Sequence, residues 1–180
     1  MRIRGVIDTE TTGLNAGVNE IIQLAIVIVD EDFNFVDKFV SKVRPMHEAN
    51  IEEEAMKVNR LKNLDEAPTP LQVRNAFFQW NEEVHDGAVI EPIGHNYSFD
   101  KDFLKIFFGH MYNEKFYYKF RDTFVLAQAM IDRGSLDLGD NGSTSLVGLC
   151  DHFEIPIKAH DALGDVLATL QLYKKLLEIV

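Results

Sequence analysis

The sequence predicts a mixed-sheet α/β domain, because three strand-like segments at the N-terminus are followed by alternating helical and strand-like segments. The three segments are residues 3–9, 21–29 and 35–43, and each is rich in β-branched or aromatic residues. A polar, acidic turn at residues 30–34 separates the second and third segments. Such a turn between two strands predicts an antiparallel hairpin, so the sheet should begin as a three-stranded meander.

The next part of the chain is expected to be helical after Pro45 ends the meander. Residues 46–66 are polar and acidic, with Ile51, Ala55, Val58 and Leu61 at a helix-like spacing. Residues 71–85 form a stronger helical pattern. The apolar side predicted for this second helix consists of Leu71, Ala76 or Phe77, Trp80 and Val84, with Trp80 in the core.

The remainder of the chain alternates between strands and helices, which adds two strands to the meander and gives a five-stranded mixed sheet flanked by helices. The chain has no internal repeat and no interdomain linker, so residues 1–180 are expected to form one domain. In order, the predicted elements are strand 88–94, a helix that Ser98 caps, strand 117–121, helix 123–132, a loop over 134–144, and helices 146–153 and 161–180.

Composition and charge narrow the class of function. No apolar stretch approaches the roughly 18 residues of a membrane span, and the N-terminus does not resemble a secretory signal, so a cytoplasmic protein is expected. Cys150 is the single cysteine, which excludes an intramolecular disulfide. The net charge of −11 argues against tight, sequence-independent binding of duplex nucleic acid. It remains compatible with catalysis on a short single-stranded end if the carboxylates surround cations.

Asp8 and Glu10 end the first predicted strand. Because they lie two residues apart, their side chains point to the same face of the sheet. Two adjacent carboxylates raise each other's pKa unless a cation lies between them. An isolated pair of this kind is usually a solvated strand end, so its meaning depends on partners elsewhere in the sequence.

Two further groups could supply those partners. Asp100 and Asp102 lie in the first turn of a predicted helix, where an acid favourably meets the helix dipole, and spacing alone does not separate them. Asp165 lies one turn into the last helix, five residues after His160. We expect Asp161 to cap this helix and His160 to lie on the preceding loop, from which it can reach the site of Asp165.

Four acids from three predicted elements and one histidine form a coherent chemical set. Oxygen ligands suit Mg²⁺ or Mn²⁺ rather than zinc. Two such ions, roughly 4 Å apart, stabilise the attacking and leaving oxygens of a phosphodiester displacement. A neutral histidine is suited to accept the proton of the attacking water near pH 7.

Three ordered motifs resemble those of the DEDDh 3′–5′ exonucleases, the group that contains the proofreading subunit of bacterial replicative polymerases. They are Val6-Ile-Asp-Thr-Glu-Thr-Thr-Gly-Leu14, Gly94-His-Asn-Tyr-Ser-Phe-Asp-Lys-Asp-Phe-Leu104 and His160-Asp-Ala-Leu-Gly-Asp165. Each alone is weak, whereas three in order are specific. The second motif selects Asp100 over Asp102.

The resemblance implies an RNase-H-like fold with a five-stranded mixed sheet, two bound divalent cations and 3′–5′ exonuclease activity. The metal ligands it implies are Asp8, Glu10, Asp100 and Asp165, with His160 as general base. The residues it implies at the terminal nucleotide are Thr11, Thr12, Leu14, Asn59, His95, Asn96 and Phe99.

The natural partner is expected to be the 3′ end of single-stranded DNA, with a DNA polymerase or another replication or repair protein as a possible second partner. An exoribonuclease would use the same five catalytic residues, and a non-catalytic docking module on the same fold is the alternative of a different class. Residues 110–121 interleave aromatic and basic side chains, which suits either a single-strand binding track or a buried strand with exposed lysines.

Overall fold

A computed structural model describes residues 1–140, 142–157 and 160–179 of the protein, and these residues form a five-stranded mixed sheet flanked by helices. The predicted α/β fold class is therefore confirmed. The strands are β1 (Arg2–Thr11), β2 (Ile21–Val29), β3 (Phe35–Lys42), β4 (Val89–Gly94) and β5 (Arg121–Asp122).

The strand order across the sheet is β3-β2-β1-β4-β5. β1, β2 and β3 form the predicted antiparallel meander, whereas β4 is parallel to β1 and β5 is parallel to β4. The helices are α1 (Glu53–Asn59), α2 (Pro70–His85), α3 (Tyr97–Phe108), α4 (Tyr112–Lys115), α5 (Thr123–Asp132), α6 (Leu146–His152) and α7 (Ala162–Ile179), with 3-10 turns at Glu48–Asn50 and Gly109–Met111.

Each face of the sheet carries its own apolar core. All nine positions of β2 are buried, because both of its faces are covered. On one face Ile7 and Ile26 pack with Phe77 of α2 and Leu104 of α3. On the other face the core lies beneath α7, and its members from the strands and from α7 include Val6, Val27, Ile93, Val166 and Leu170.

The predicted apolar side of the second helix is confirmed at Phe77 and wrong at both ends. Leu71 and Val84 are 59% and 56% exposed, and the buried row of α2 runs through Val73, Phe77, Asn81 and His85. This row includes two polar residues, and the Asn81 side-chain amide donates to the Ala88 carbonyl at 3.0 Å. Trp80 is half-buried against the core, and its indole N–H donates to Asp37 at 2.7 Å.

The predicted Ser98 cap is also wrong. Helix α3 begins at Tyr97, behind Asn96, whose φ is 58°. The amides of Asn96 and Tyr97 donate to the two carboxylate oxygens of Asp122, at 3.0 and 2.9 Å. An acceptor from a distant part of the chain therefore satisfies the start of this helix, where unpaired N–H groups need a partner.

The remaining differences concern the lengths of elements. The predicted strand at 117–121 is shorter, because β5 contains two residues and Phe116 makes an isolated bridge to Ile90. The helical pattern over 46–66 shortens to α1, which leaves Ile51 and Leu61 outside it. The predicted end of the last helix, Val180, lies outside the described residues. Across the described ranges no helix is both long and apolar enough to span a membrane.

Candidate active site

Asp8 and Glu10 lie on the half of β1 near its carboxyl end, on the face that α7 covers. Successive strand residues point to opposite faces. Val6 belongs to the core beneath α7, so Asp8 and Glu10 continue the same row beyond that core. β4 runs parallel to β1, and α3 follows β4. The start of α3 therefore lies at the same end of the sheet as the two acids.

Asp100, in the first turn of α3, completes this side of the site. Its side chain is 3% exposed, and its Oδ1 accepts the Thr9 amide at 2.9 Å and the Thr9 hydroxyl at 2.7 Å. Asp102 has a 69% exposed side chain and lies 3.9 Å from the ammonium group of Lys105. Of the two acids that spacing did not separate, the structure places Asp100 against β1 and Asp102 in solvent.

Asp165 and His160 approach from the beginning of α7. The His160 backbone N–H donates to Asp165 Oδ2 at 3.1 Å, and the His160 side chain is exposed. Asp165 Oδ1 is buried and has no hydrogen-bond partner among the described residues. One ligand atom each from Glu10, His160 and Asp165 lie within 4.8 Å of one another. The three motifs thus meet at one end of the sheet, beside the central strand β1.

The carboxyl groups of this site are held in an environment that favours their protonated forms. Burial, and then the charges of Asp100, Asp165 and Glu10, raise the pKa of Asp8 well above its usual range. Burial and the neighbouring acids raise the pKa of Glu10 to about 7. Burial also raises the pKa of Asp165.

Two opposing effects act on the pKa of Asp100. Burial raises its pKa to about 7, while the two hydrogen bonds from Thr9 act in the opposite direction. A bound cation would relieve the repulsion among all four carboxylates. The oxygen donors and the unpartnered Asp165 Oδ1 fit a hard divalent cation, since an unpaired buried carboxylate oxygen is otherwise costly.

These raised pKa values predict how pH affects the stability of the metal-free protein. The folded-state pKa of Glu10, about 7, exceeds the unfolded value near ~4.3. The stabilising contribution of such a group is complete below the unfolded pKa and is lost as pH rises through the folded pKa. In EDTA, we therefore expect the Glu10→Gln protein to gain stability relative to wild type as pH rises from about 4 to 8.

Urea unfolding at several pH values measures this difference. Gln79→Met, at an exposed position on α2, is the control and should follow wild type across the range. A difference between Glu10→Gln and wild type that does not change with pH would contradict the raised pKa of Glu10.

The residues expected around the terminal nucleotide occupy two different settings. Thr11 and Thr12 are buried, and their hydroxyls bond within the loop: Thr11 donates to the Gly13 carbonyl at 2.6 Å, and Thr12 accepts the Glu20 amide at 2.9 Å. Leu14, by contrast, is 80% exposed. It lines an open cleft of about 410 Å³ together with Phe99.

The other three positions also have defined contacts. The Asn59 side-chain amide is buried and donates to the Thr11 carbonyl at 3.2 Å, which ties α1 to the end of β1. The half-buried His95 lies 2.9 Å from the Thr123 hydroxyl through Nδ1, and burial lowers its pKa. Asn96 is exposed at the start of α3.

The aromatic and basic segment at residues 110–121 divides between core and surface. Tyr112 and Phe116 are buried, whereas Tyr118 and Lys119 are exposed. The Arg121 guanidinium lies 3.1 Å from Glu91, which also pairs with Arg2. The Glu91 carboxylate thus neutralises part of the positive charge of this segment.

Sequence reasoning missed Gln23 and the setting of Asp161. Gln23 is a buried polar residue inside an otherwise apolar strand, and that exception was the available signal. Asp161 directly precedes α7, as expected, and its carbonyl accepts the Asp165 N–H at 3.0 Å, while its carboxylate accepts from the Gln23 side chain at 3.1 Å. Its charge also contributes to the raised pKa values of Asp8 and Glu10.

Comparison with known proteins identifies the class to which this fold and site belong. A family model described as exonuclease (RNase_T) matches residues 6–173. The chain therefore belongs to the exonuclease family, and the resemblance drawn from the three motifs is confirmed.

Individual relatives refine this assignment. Ribonuclease T of Actinobacillus pleuropneumoniae is 30% identical over an alignment 192 residues long with its gaps, which covers 96% of this chain and 84% of the relative. A PolC-type DNA polymerase III of Thermotoga petrophila is 25% identical over 175 residues, which cover 97% of this chain and 12% of the polymerase.

Solved structures support the RNase-H-like fold. Exonuclease I of E. coli in complex with a dT13 oligonucleotide superposes with a TM-score of 0.79 at 18% identity. The match covers 98% of this chain and 41% of exonuclease I. The chain thus spans most of ribonuclease T, but a minor part of exonuclease I and of the polymerase.

Proposed function

We propose that this chain is a 3′–5′ exonuclease that hydrolyses the terminal phosphodiester bond of single-stranded DNA and releases nucleoside monophosphates. The observation that carries the proposal is the convergence of acids from β1, α3 and α7 beside His160, in a chain of the exonuclease family. These acids are far apart in sequence and repel one another. A cation-dependent reaction explains why a fold would collect them at one place.

Asp8, Glu10, Asp100 and Asp165 would hold two divalent cations, Mg²⁺ or Mn²⁺. When bound, such cations polarise the phosphoryl oxygens and stabilise the charge that develops during displacement. Hydrogen bonds from the rest of the chain hold two of these carboxylates in place before a cation binds. Thr9 fixes one oxygen of Asp100 through two hydrogen bonds, and the His160 amide fixes one oxygen of Asp165.

His160 would act as the general base. Its ring lies close to Glu10 and Asp165, on the solvent side of the acids. A ring nitrogen of His160 accepts a proton from water as the water oxygen forms a bond to phosphorus. The bond from phosphorus to the 3′ oxygen of the preceding nucleotide breaks, and that oxygen leaves with the electron pair and gains a proton from solvent.

The open cleft lined by Leu14 and Phe99 would receive the terminal nucleoside. Leu14 is mostly exposed, and the ring of Phe99 packs at 4.9 Å from that of Phe103, which holds an aromatic surface beside Asp100. Apolar and aromatic surfaces of this kind bind bases with little sequence preference. This arrangement supports an unpaired 3′ end as substrate rather than a duplex.

The choice of DNA rests on the relatives. Exonuclease I was solved with a DNA oligonucleotide, and PolC-type relatives are DNA polymerases. The PolC-type relatives also favour a polymerase as the second partner, which would supply affinity for nucleic acid that a chain of net charge −11 lacks. The name of ribonuclease T favours the alternative, an exoribonuclease.

Degradation of matched oligonucleotides tests the proposal. Single-stranded DNA and RNA of one sequence, each labelled at the 5′ end or at the 3′ end, are incubated with Mg²⁺, Mn²⁺ or EDTA. Stepwise shortening of the 5′-labelled strand, immediate release of the 3′ label and inhibition by EDTA are expected. DNA should be degraded faster than RNA.

Each other outcome has a definite meaning. Faster degradation of RNA would replace DNA with RNA as substrate, while the reaction stands. Absence of cleavage of either polymer, with Mn²⁺ bound and the protein folded, would overturn the enzyme proposal in favour of a docking module.

A further inference from the structure

Gln23 is a buried polar side chain in the middle of the sheet. It is 6% exposed, and the other eight residues of β2 are apolar. Across the antiparallel pair it is the register partner of Glu10. A buried amide is unfavourable unless both its oxygen and its nitrogen find hydrogen-bond partners.

Both halves of the Gln23 amide bond to the segment that begins α7. Gln23 Oε1 accepts the Ala162 N–H at 3.1 Å, and Gln23 Nε2 donates to Asp161 Oδ1 at 3.1 Å. Ala162 is the first residue of α7, so its N–H has no partner within the helix. Gln23 therefore supplies, from β2, a partner for the first N–H of α7.

A second contact of the same segment comes from Asp165, in the first turn of α7. The His160 N–H donates to Asp165 Oδ2 at 3.1 Å, so a residue of α7 binds the backbone of His160 while a residue of β2 binds that of Ala162. His160 adopts a φ of 66°. A residue with a side chain adopts this conformation unfavourably, and it persists where the surroundings impose it.

We infer that Gln23 is a positioning residue for His160. By binding residues 161 and 162, it fixes the direction in which the chain leaves His160 and thereby the approach of the imidazole to Glu10 and Asp165. Among the described residues, the Gln23 side chain makes its hydrogen bonds to Asp161 and Ala162 and to none of the four proposed ligand carboxylates. The inference rests on the proposed function, in which His160 is the general base.

Gln23→Met tests the inference, because methionine has a similar length and provides neither strong hydrogen bond. We expect kcat on a single-stranded oligonucleotide to fall by about 10- to 100-fold, the range for a misplaced catalytic group, and KM to change by less than about threefold. In the His160→Ala background the same substitution should lower kcat by less than about twofold, since residues that act as a unit are not additive.

A second pair of variants, at the half-buried Asp161, tests its hydrogen bond with Gln23 in case Gln23→Met does not fold. Asp161→Ala removes the acceptor for Gln23 Nε2, whereas Asp161→Asn retains a side-chain oxygen that can accept the same hydrogen bond. Asp161→Ala should lower kcat, and Asp161→Asn should restore most of the loss. Equal losses in both variants would attribute the effect to charge and overturn the positioning role.

A readout on the metal-free protein is independent of activity. The imidazole NMR signals of His160, identified by their absence in His160→Ala, should shift or broaden in Gln23→Met, while those of His85 on α2 stay unchanged. Unchanged His160 signals together with wild-type kcat would overturn the inference. Full additivity of Gln23→Met and His160→Ala would also overturn it. Failure of the proposed function is distinguishable, because the wild-type protein would then lack nuclease activity.

Discussion

The Asp8→Ala protein is expected to lose nuclease activity and to bind Mn²⁺ much more weakly than wild type. Asp8 lies among the other site acids, because the charges of Asp100, Asp165 and Glu10 all raise its pKa. Its removal would take away one of the four proposed ligands, and the lost charge stabilisation should lower turnover by on the order of 10³-fold or more. Single-turnover degradation and titration with Mn²⁺ measure the two effects.

The stability of the metal-free Asp8→Ala protein distinguishes a ligand from a structural residue. Loss of one repelling carboxylate should leave the thermal midpoint in EDTA at pH 8 equal to or above that of wild type, since Asp8 is destabilising when ionised. Asp132→Ala, an exposed acid at the end of α5, is the control and should behave as wild type. Wild-type activity in Asp8→Ala would exclude the two-cation mechanism.

The His160→Ala protein should separate catalysis from metal binding. Turnover is expected to fall by about 10²- to 10⁴-fold, the range for loss of a general base. Mn²⁺ affinity should change little, because the four carboxylates remain and alanine keeps the backbone N–H that donates to Asp165. Single-turnover kinetics at saturating Mn²⁺ and calorimetric titration of the metal test both statements.

His110→Ala provides a matched control, since His110 is exposed in the turn that follows α3. Its turnover and metal affinity should equal those of wild type. Loss of Mn²⁺ binding in His160→Ala would assign this histidine to the metal site and would leave the reaction without an identified base.

Much of the fold follows from local pattern in the sequence. The apolar run of β2, the polar turn after Val29 and the alternation in β3 predicted the meander, because hydrophobic periodicity is a local property. The misplaced features depend on distant partners. Asp122 caps α3 from another element, and Asn81 could be buried in α2 because the Ala88 carbonyl accepts from it.

The candidate site shows the same division. The three motifs identified the acids and the histidine by residue type and order, and the structure brings them to one end of the sheet. The hydrogen bonds of Thr9 with Asp100 and of Gln23 with Ala162 were beyond the reach of the sequence. Each joins residues at least 91 positions apart, so nothing near either partner indicates the contact.

Successive residues of β1 face opposite sides of the sheet, and this alternation limits where the chain can gain or lose residues. Even-numbered residues such as Val6 and Asp8 face α7, whereas Ile7 belongs to the opposite core. An insertion of one residue in β1 before Ile7 would exchange the two rows that follow it, burying the carboxylates among aromatic rings and turning Ile7 toward the candidate site. Lengthening by one residue is therefore forbidden within this strand, while the surface loop at residues 134–140 can absorb it. Insertions and deletions in active variants of this protein should therefore occur in loops and preserve the alternation of side chains along β1.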